Sequence, residues 1–221
     1  MAYSIEKRDF LFRFVSPNIR TQLRFDTEAL YSTTDQLTAD KITRDLLRFS
    51  PRSSIIADAT ACVGGNTYSF AQQFSQVYAF ELDAVRAEHL QHNMRMLGMS
   101  NVHTISGDST RKLPHIGTHF GVIFLDPPWG GPEYKNATSI RLSLSGKRLS
   151  DVCWQLSVHT DFIALKVPKN FDENEFLTDT APFMSLIHKN TQLRKMHLLI
   201  FKVNPLRESG ESRSREERLA T

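Results

Sequence analysis

SIIADATACVGGNT, residues 54–67, is the stretch that decides the fold. It opens on a short apolar run, Ser54 to Ala57, and closes that run on an acid, Asp58. It then turns through Gly64 and Gly65 into residues of helical spacing. The apolar run reads as a buried strand. From Asn66 to Phe74, Thr67, Phe70, Ala71 and Phe74 fall on one helical face. A strand that passes through a glycine turn into a helix is the first unit of a sheet covered by its own helices.

Outward from there the unit repeats. VYAFEL (77–82) is a second strand. Residues 84–97 are helical, with Ala87, Leu90, Met94 and Leu97 on one face and Gly98 as a stop. VHTIS (102–106) and GVIFLD (121–126) are the third and fourth strands. RLSDVCWQLSV is a helix, FIALKV (162–167) the fifth strand and MHLLIFKV (196–203) the final one. Residues 173–188 read as a helix that Pro182 breaks or kinks. Upstream, TADKITRDLLRF (38–49) is a helix with Thr38 as a possible N-cap and Pro51 at its end. Strands alternating with helices predict a mostly parallel sheet covered on both faces.

The chain has 221 residues, 40% of them hydrophobic, enough for one substantial core and too few for two. We divide it into an N-terminal basic and aromatic extension (1–37), a main domain (38–204) and a tail (205–221) read as disordered. Residues 207–221 carry four arginines, four glutamates and one leucine, a balance that suits neither a core nor an RNA-binding arm. No apolar run reaches the ~20 residues that span a bilayer, and the first residues lack the pattern of a signal peptide. An intracellular protein without a membrane partner is expected. Cys62 and Cys153 are too few for a disulfide framework or a cysteine-rich metal site, so no metal is expected. Net charge is +3. Residues 1–25 hold five basic side chains against two acidic ones, interleaved with Phe10, Phe12, Phe14 and Phe25. That segment either faces an anion such as RNA or packs its phenylalanines on the domain.

Three strand ends in succession are polar. Asp58 precedes the glycine turn, Glu81 closes the second strand, and Asp108 with Ser109 follows the third. In open α/β sheets ligands bind at the carboxyl ends of the strands. A carboxylate at the end of the second strand can accept both ribose hydroxyls, and one after the third can accept from an adenine amino group. The phosphate-binding glycine spacing and a Walker lysine are both absent, which favours S-adenosylmethionine over a pyrophosphate cofactor.

The fourth strand ends in DPPWGGPEY (126–134). Asp126 is an acceptor, Pro127 and Pro128 stiffen the turn and leave carbonyls without competing N–H groups, and Trp129 offers a flat face. An aromatic amine needs this set. Its lone pair is delocalised into the ring, so acceptors on its N–H groups and in-line positioning must make up the deficit.

DATACVGGNT and DPPWGGPEY together resemble the trimethylguanosine synthase family, the RNA cap guanine-N2 methyltransferases, over about residues 22–203. The resemblance implies a Rossmann-like class I S-adenosylmethionine-dependent methyltransferase with a mostly parallel, seven-stranded sheet. It implies that the cofactor lies across Asp58, Gly64, Glu81, Asp108, Ser109 and Pro127. It implies catalytic roles for Asp126, Pro127 and Trp129, with Trp129 stacked on the positively charged 7-methylguanine of capped RNA. Tyr134, Lys169 and Lys195 match positions near the cap phosphates, lysine standing at 169 where the family usually has arginine. Departures are visible. Thr60-Ala61-Cys62 replaces an aromatic-Cys-Gly run, Asp126 stands where some members carry serine, and the cap-binding extension is short, TQLRFDTEALYSTT resembling its end. The implied reaction puts one methyl, or two, on N2 of 7-methylguanosine, in the nucleus or cytoplasm; the sequence leaves the oligomeric state open, a monomer being favoured. The rival readings are an N6-adenine methyltransferase and a non-catalytic RNA-binding module on the same fold.

Overall fold

The computed structural model describes residues 2–204, so the reading of the tail lies outside the described residues. The chain begins with four helices, α1 (Ala2–Leu11), α2 (Pro17–Arg20), α3 (Ala29–Ser32) and α4 (Gln36–Leu46). Then follow β1 (Ile55–Asp58), α5 (Gly65–Ala71), β2 (Gln76–Glu81), α6 (Ala84–Met96), β3 (Val102–Ser106), α7 (Ser109–Lys112) and β4 (Phe120–Leu125). A short hairpin, β5 (Ser143–Leu144) and β6 (Lys147–Arg148), leads into α8 (Leu149–Ser157). The chain continues through β7 (Thr160–Pro168), α9 (Glu173–Thr180), β8 (Met184–Asn190) and β9 (Met196–Val203).

Seven strands form one sheet in the order β3-β2-β1-β4-β7-β9-β8. Pairings from β3 across to β7 are parallel, while β9 runs antiparallel to both β7 and β8. Alternation along the central strands builds a core on each face. In β4, Ile123 and Leu125 join one apolar cluster with Val152, Leu156 and Phe176, while Val122 and Phe124 join another with Ile42, Leu46 and Phe70. A third cluster packs Leu11, Phe12, Val15 and Leu23 of the N-terminal segment on Leu90, Met94 and Leu97 of α6 and its end. Of the four phenylalanines noted there, Phe12 is buried and Phe25 half-buried, whereas Phe10 and Phe14 face outward.

Two expectations need correction. Residues 173–188 are not one helix. The helix stops at Thr180, and Met184–Asn190 is β8, the edge strand of the sheet. On that edge strand the side chains alternate between covered and exposed, with Leu186 and His188 inward and Ile187 and Lys189 outward. An edge strand mixes polar residues into both faces, which weakens its period-two signal. The second correction is small: Asp35, not Thr38, caps α4, its side chain accepting from Thr38 N at 3.4 Å and Thr38 Oγ1 at 2.7 Å.

The chain runs outward from β1 to β2 and β3, then returns to place β4 on the other side of β1. A crevice therefore opens at the carboxyl ends of β1 and β4, where connections leave in opposite directions.

Candidate active site

The β1 end is built around Asp58, which is fully buried. Its carboxylate accepts from Thr67 Oγ1 at 2.7 Å and Thr60 N at 3.4 Å, bracing the start of α5 against the strand. Burial pushes this carboxyl up to about 7, against the two hydrogen bonds and helped by the charges of Asp126 and Glu81. The loop it braces has two unusual backbone features. Gly64 sits at φ 103, and a Cβ there would run into Met94 and Leu90. Cys62 takes φ 52, a left-handed conformation where the resemblance leads one to expect glycine. Its thiol lies 3.6 Å from Thr33 Oγ1 and is pushed up to about 11, burial being the main cause.

Glu81 closes β2 with its carboxylate turned back on that loop. Oε2 accepts from Cys62 N and Oε1 from Asp83 N, both at 2.9 Å, and Arg86 lies 3.7 Å away. Burial raises this carboxyl, while the N–H donors and Arg86 oppose the rise. Arg86 also pairs with Asp26 at 3.0 Å and Glu28 at 2.8 Å, tying the N-terminal segment to the β2 end. Next to Glu81, Leu82 and Val85 expose their apolar side chains. The sequence analysis placed Leu82 in the second strand and Val85 in the following helix and gave neither a role, although an apolar residue directly after a strand-end acid is visible in VYAFEL.

At the β3 end, Asp108 is the N-cap of α7. Its Oδ1 accepts from Thr110 N, Thr110 Oγ1 and Ser145 Oγ at 2.8–2.9 Å, and Oδ2 lies 3.6 Å from Arg111. Burial works to raise this carboxyl, but the donors and Arg111 together hold it below the ordinary carboxylate value. Ser109 is buried at the first turn of α7.

Asp126 follows β4, its backbone N–H donating to Thr60 Oγ1 at 2.8 Å, so the β1 and β4 loops are stitched together. Oδ2 lies 2.5 Å from Lys166 Nζ. Lys166 is buried on β7, also donates to Thr34 Oγ1 at 2.9 Å, and stands 5.5 Å from the centroid of the Trp129 ring. Burial raises the Asp126 carboxyl and Lys166 opposes it. The sequence reading missed Lys166, yet a single lysine inside the apolar run FIALKV was a signal.

Pro127 is buried and Trp129 half-buried, with the indole packed on one core cluster. The indole Nε1 is buried without a hydrogen-bond partner among the described residues. Gly130 at φ 90 and Gly131 at φ 76 let the chain reverse into the 3-10 turn Pro132–Asn136. That turn brings Tyr134 edge-on to Trp129 with centroids 5.2 Å apart. Asn170 holds it there by donating to the carbonyls of Tyr134 and Ala137 at 2.8 and 2.7 Å. Pro168 of β7 pairs with Met196 of β9, and the next residue outward from each strand is Lys169 and Lys195 respectively. Both lysines are exposed where the two strands leave the sheet, on the edge that carries the Asp126 loop.

The residues present fit a nucleoside cofactor. Asn66 of α5 is buried with its Oδ1 unpartnered, its Nδ2 donating to Thr34 Oγ1 at 3.0 Å. Glu81 offers a carboxylate at the crevice beside the exposed apolar surface of Leu82. No cluster of metal-ligating side chains is found among the described residues, and none of their helices is long and apolar enough to cross a membrane.

A parallel sheet reversed by one antiparallel strand, with acids at successive strand ends and an Asp-Pro-Pro-Trp turn after β4, defines a class I methyltransferase fold. Solved structures agree on the fold. A putative methyltransferase from Porphyromonas gingivalis superposes with TM-score 0.61 at 17% identity, covering 87% of this chain and 50% of that one. TrmN from Thermus thermophilus gives 0.54 at 18% identity, covering 75% and 49%. Residues 53–204 match the RNA cap guanine-N2 methyltransferase family, and the chain belongs to it. An uncharacterized protein of Acanthamoeba polyphaga mimivirus is 32% identical over 153 residues, 67% of this chain and 58% of that protein. Trimethylguanosine synthase of Schizosaccharomyces pombe is 29% identical over 68% of this chain and 64% of its own length. That of Saccharomyces cerevisiae is 28% identical over 60% and 47%. The chain thus spans about half to two thirds of the curated relatives it matches.

Proposed function

We propose that this chain transfers a methyl group from S-adenosylmethionine to the exocyclic N2 of 7-methylguanosine at an RNA 5′ end. The observation that carries the reading is the placement of an indole, Trp129, beside a carboxylate acceptor, Asp126, both half-buried at the switch point of the sheet. Bound S-adenosylmethionine supplies an electrophilic methyl on a sulfonium. Glu81 would hold the ribose, Leu82 would cover the adenine ring, and Asn66 would meet a polar group at the α5 end. Asp58 shapes the loop from inside rather than lining the crevice, since it is enclosed on all sides.

The rest of the chemistry belongs to the β4 turn. Trp129 fixes the plane of the base. A positively charged 7-methylguanine gains about 2 kcal/mol from the face of an indole once water is excluded. Asp126 and the carbonyls of the proline turn accept from the amine, which localises its lone pair for attack as the carbon–sulfur bond breaks. Asp126 orients the amine, and the proton leaves to water after the carbon–nitrogen bond has formed. Lys169 and Lys195 lie where an anionic triphosphate would leave the crevice, and Tyr134 buttresses the indole.

The test offers RNAs of one sequence, with and without a 7-methylguanosine cap, together with methyl-labelled cofactor. Label on the capped RNA alone is expected. Equal labelling of both would move the target to a base inside the RNA, such as the N6 of adenine. Failure to bind S-adenosylmethionine in a calorimetric titration would favour a non-catalytic RNA-binding module.

A further inference from the structure

Lys166 is the one lysine among the buried polar and charged side chains of the described residues. A buried ammonium is unfavourable unless it is paired and hydrogen-bonded. Here three contacts use it. Asp126 Oδ2 lies at 2.5 Å, Thr34 Oγ1 at 2.9 Å, and the Trp129 ring centroid at 5.5 Å. These belong to two separate parts of the chain: the β4 turn, which supplies both Asp126 and Trp129, and the end of the N-terminal segment. Among the described residues Oδ1 of Asp126 takes no such bond, so one carboxylate oxygen is fixed and the other is left over.

We propose that Lys166 is a positioning residue, which keeps Asp126 ionised with Oδ1 turned to the incoming amine and seats the Trp129 indole beside it. The inference rests on the reading of Trp129 and Asp126 given above. A carboxylate largely shielded from water takes up a proton readily when no cation faces it. A protonated Asp126 donates where the amine needs an acceptor. The charged groups facing Asp126 are Lys166 from β7 and Asp58 from β1, and the latter is itself an acid that gains nothing from the pairing. The N-terminal segment contributes only the neutral Thr34. Lys166 is therefore what stands between Asp126 and its neutral form.

The test removes the charge and keeps the stem, with Lys166→Met, read in two ways. The first needs no substrate. The chain has two tryptophans, so a Trp154→Phe background leaves Trp129 as sole reporter. Adding Asp58→Asn to that background removes the neighbouring acid that titrates near 7, and fluorescence should then stay flat with pH near neutrality when Lys166 is present. Lys166→Met should introduce an inflection, and adding Asp126→Asn should remove it. The second reading is kcat on capped RNA. Lys166→Met should lose rate as pH falls, about tenfold per pH unit below the midpoint, with cofactor affinity unchanged, while Lys166→Arg stays flat. An inflection that survives Asp126→Asn would assign the titration to another group and overturn the proposal. So would a loss of rate by one factor at every pH, which marks a structural role. If capped RNA is not methylated by the unaltered chain but the fluorescence pattern appears, the cap reading fails and the ion-pair assignment stands. A flat fluorescence profile in Lys166→Met overturns the proposal even if the cap is methylated. Should Lys166→Met not fold, the Lys166→Met/Asp126→Leu pair removes both charges together. Recovered folding supports the pairing, and continued failure to fold overturns it.

Discussion

Gly65 lies so close to Thr34 that a Cβ on it would come within 2.5 Å of the Thr34 carbonyl oxygen and 2.7 Å of Thr33 Cγ2. The close approach that the glycine pair permits is thus between two parts of the chain itself, the cofactor-side loop and the end of the N-terminal segment. Gly65→Ala must push backbone against backbone. We expect a loss of about 1–3 kcal/mol, together with weaker cofactor binding, because Thr34 is also the partner of Asn66. Thermal melting and a calorimetric cofactor titration check this. Unchanged values in both would show that the segment yields freely.

Cys62 carries a left-handed backbone without being glycine. Such a conformation costs a residue with a Cβ about 1–2 kcal/mol. Cys62→Ala keeps that strain and loses the contact with Thr33, whereas Cys62→Gly removes the strain at some cost in unfolded-state entropy. Cys62→Gly should therefore melt at or above Cys62→Ala, by up to about 1 kcal/mol. A clearly less stable glycine variant would mean the loop does not hold φ 52 in solution.

Asp58 gives a pH dependence with a defined sign. Its folded value of about 7 lies above the ordinary 3.8, so the native state holds this proton more tightly than the unfolded chain does. The stabilising contribution is complete below the unfolded value and is lost as pH rises through the folded one. Asp58→Asn, which cannot ionise, should gain stability relative to the parent as pH rises from 3.8 to about 7, then run parallel above it. Denaturant melts across that range would show it. A difference that is flat with pH would place the carboxylate in a better solvated site.

Trp129 gives the test of base placement. Loss of a cation–π contact worth about 2 kcal/mol corresponds to roughly 30-fold in affinity. Trp129→Ala should weaken binding of 7-methylguanosine nucleotide by about that factor, and Trp129→Phe by less. The fold should persist, because the indole is only half-buried and lies at the edge of its cluster. Unaltered nucleotide affinity in Trp129→Ala would put the base elsewhere.

The α/β alternation was legible because the central strands are buried on both faces and helices such as α4 carry a clear apolar stripe, Ala39, Ile42 and Leu46. β8 was not, because SLIHKN at a sheet edge mixes polar and apolar residues on both faces. At the site, the acids and the DPPW turn were legible as strand ends. Their assignments blurred where a carboxylate serves the chain itself, as Asp108 caps α7 and Asp58 braces α5. Lys166 and Thr34 were hidden for a different reason. They are 132 residues apart in sequence, and only the fold brings the Thr34 hydroxyl to the ammonium that holds Asp126. The basic N-terminal segment showed its charge in the sequence but not its use. Arg86 of α6 draws it in through Asp26 and Glu28, and Arg20 pairs within it to Asp9.

The most direct measurement is the position of the new methyl. Capped RNA treated with the protein and cofactor is digested to nucleosides and cap dinucleotides, and each is analysed by fragmentation mass spectrometry. Methyl groups on N2 of the 7-methylguanosine, one or two, with every internal base unchanged, are the expected result. A methyl on adenine, or a cap left as supplied while other nucleosides gain methyls, would contradict the placement of the cap guanine on Trp129.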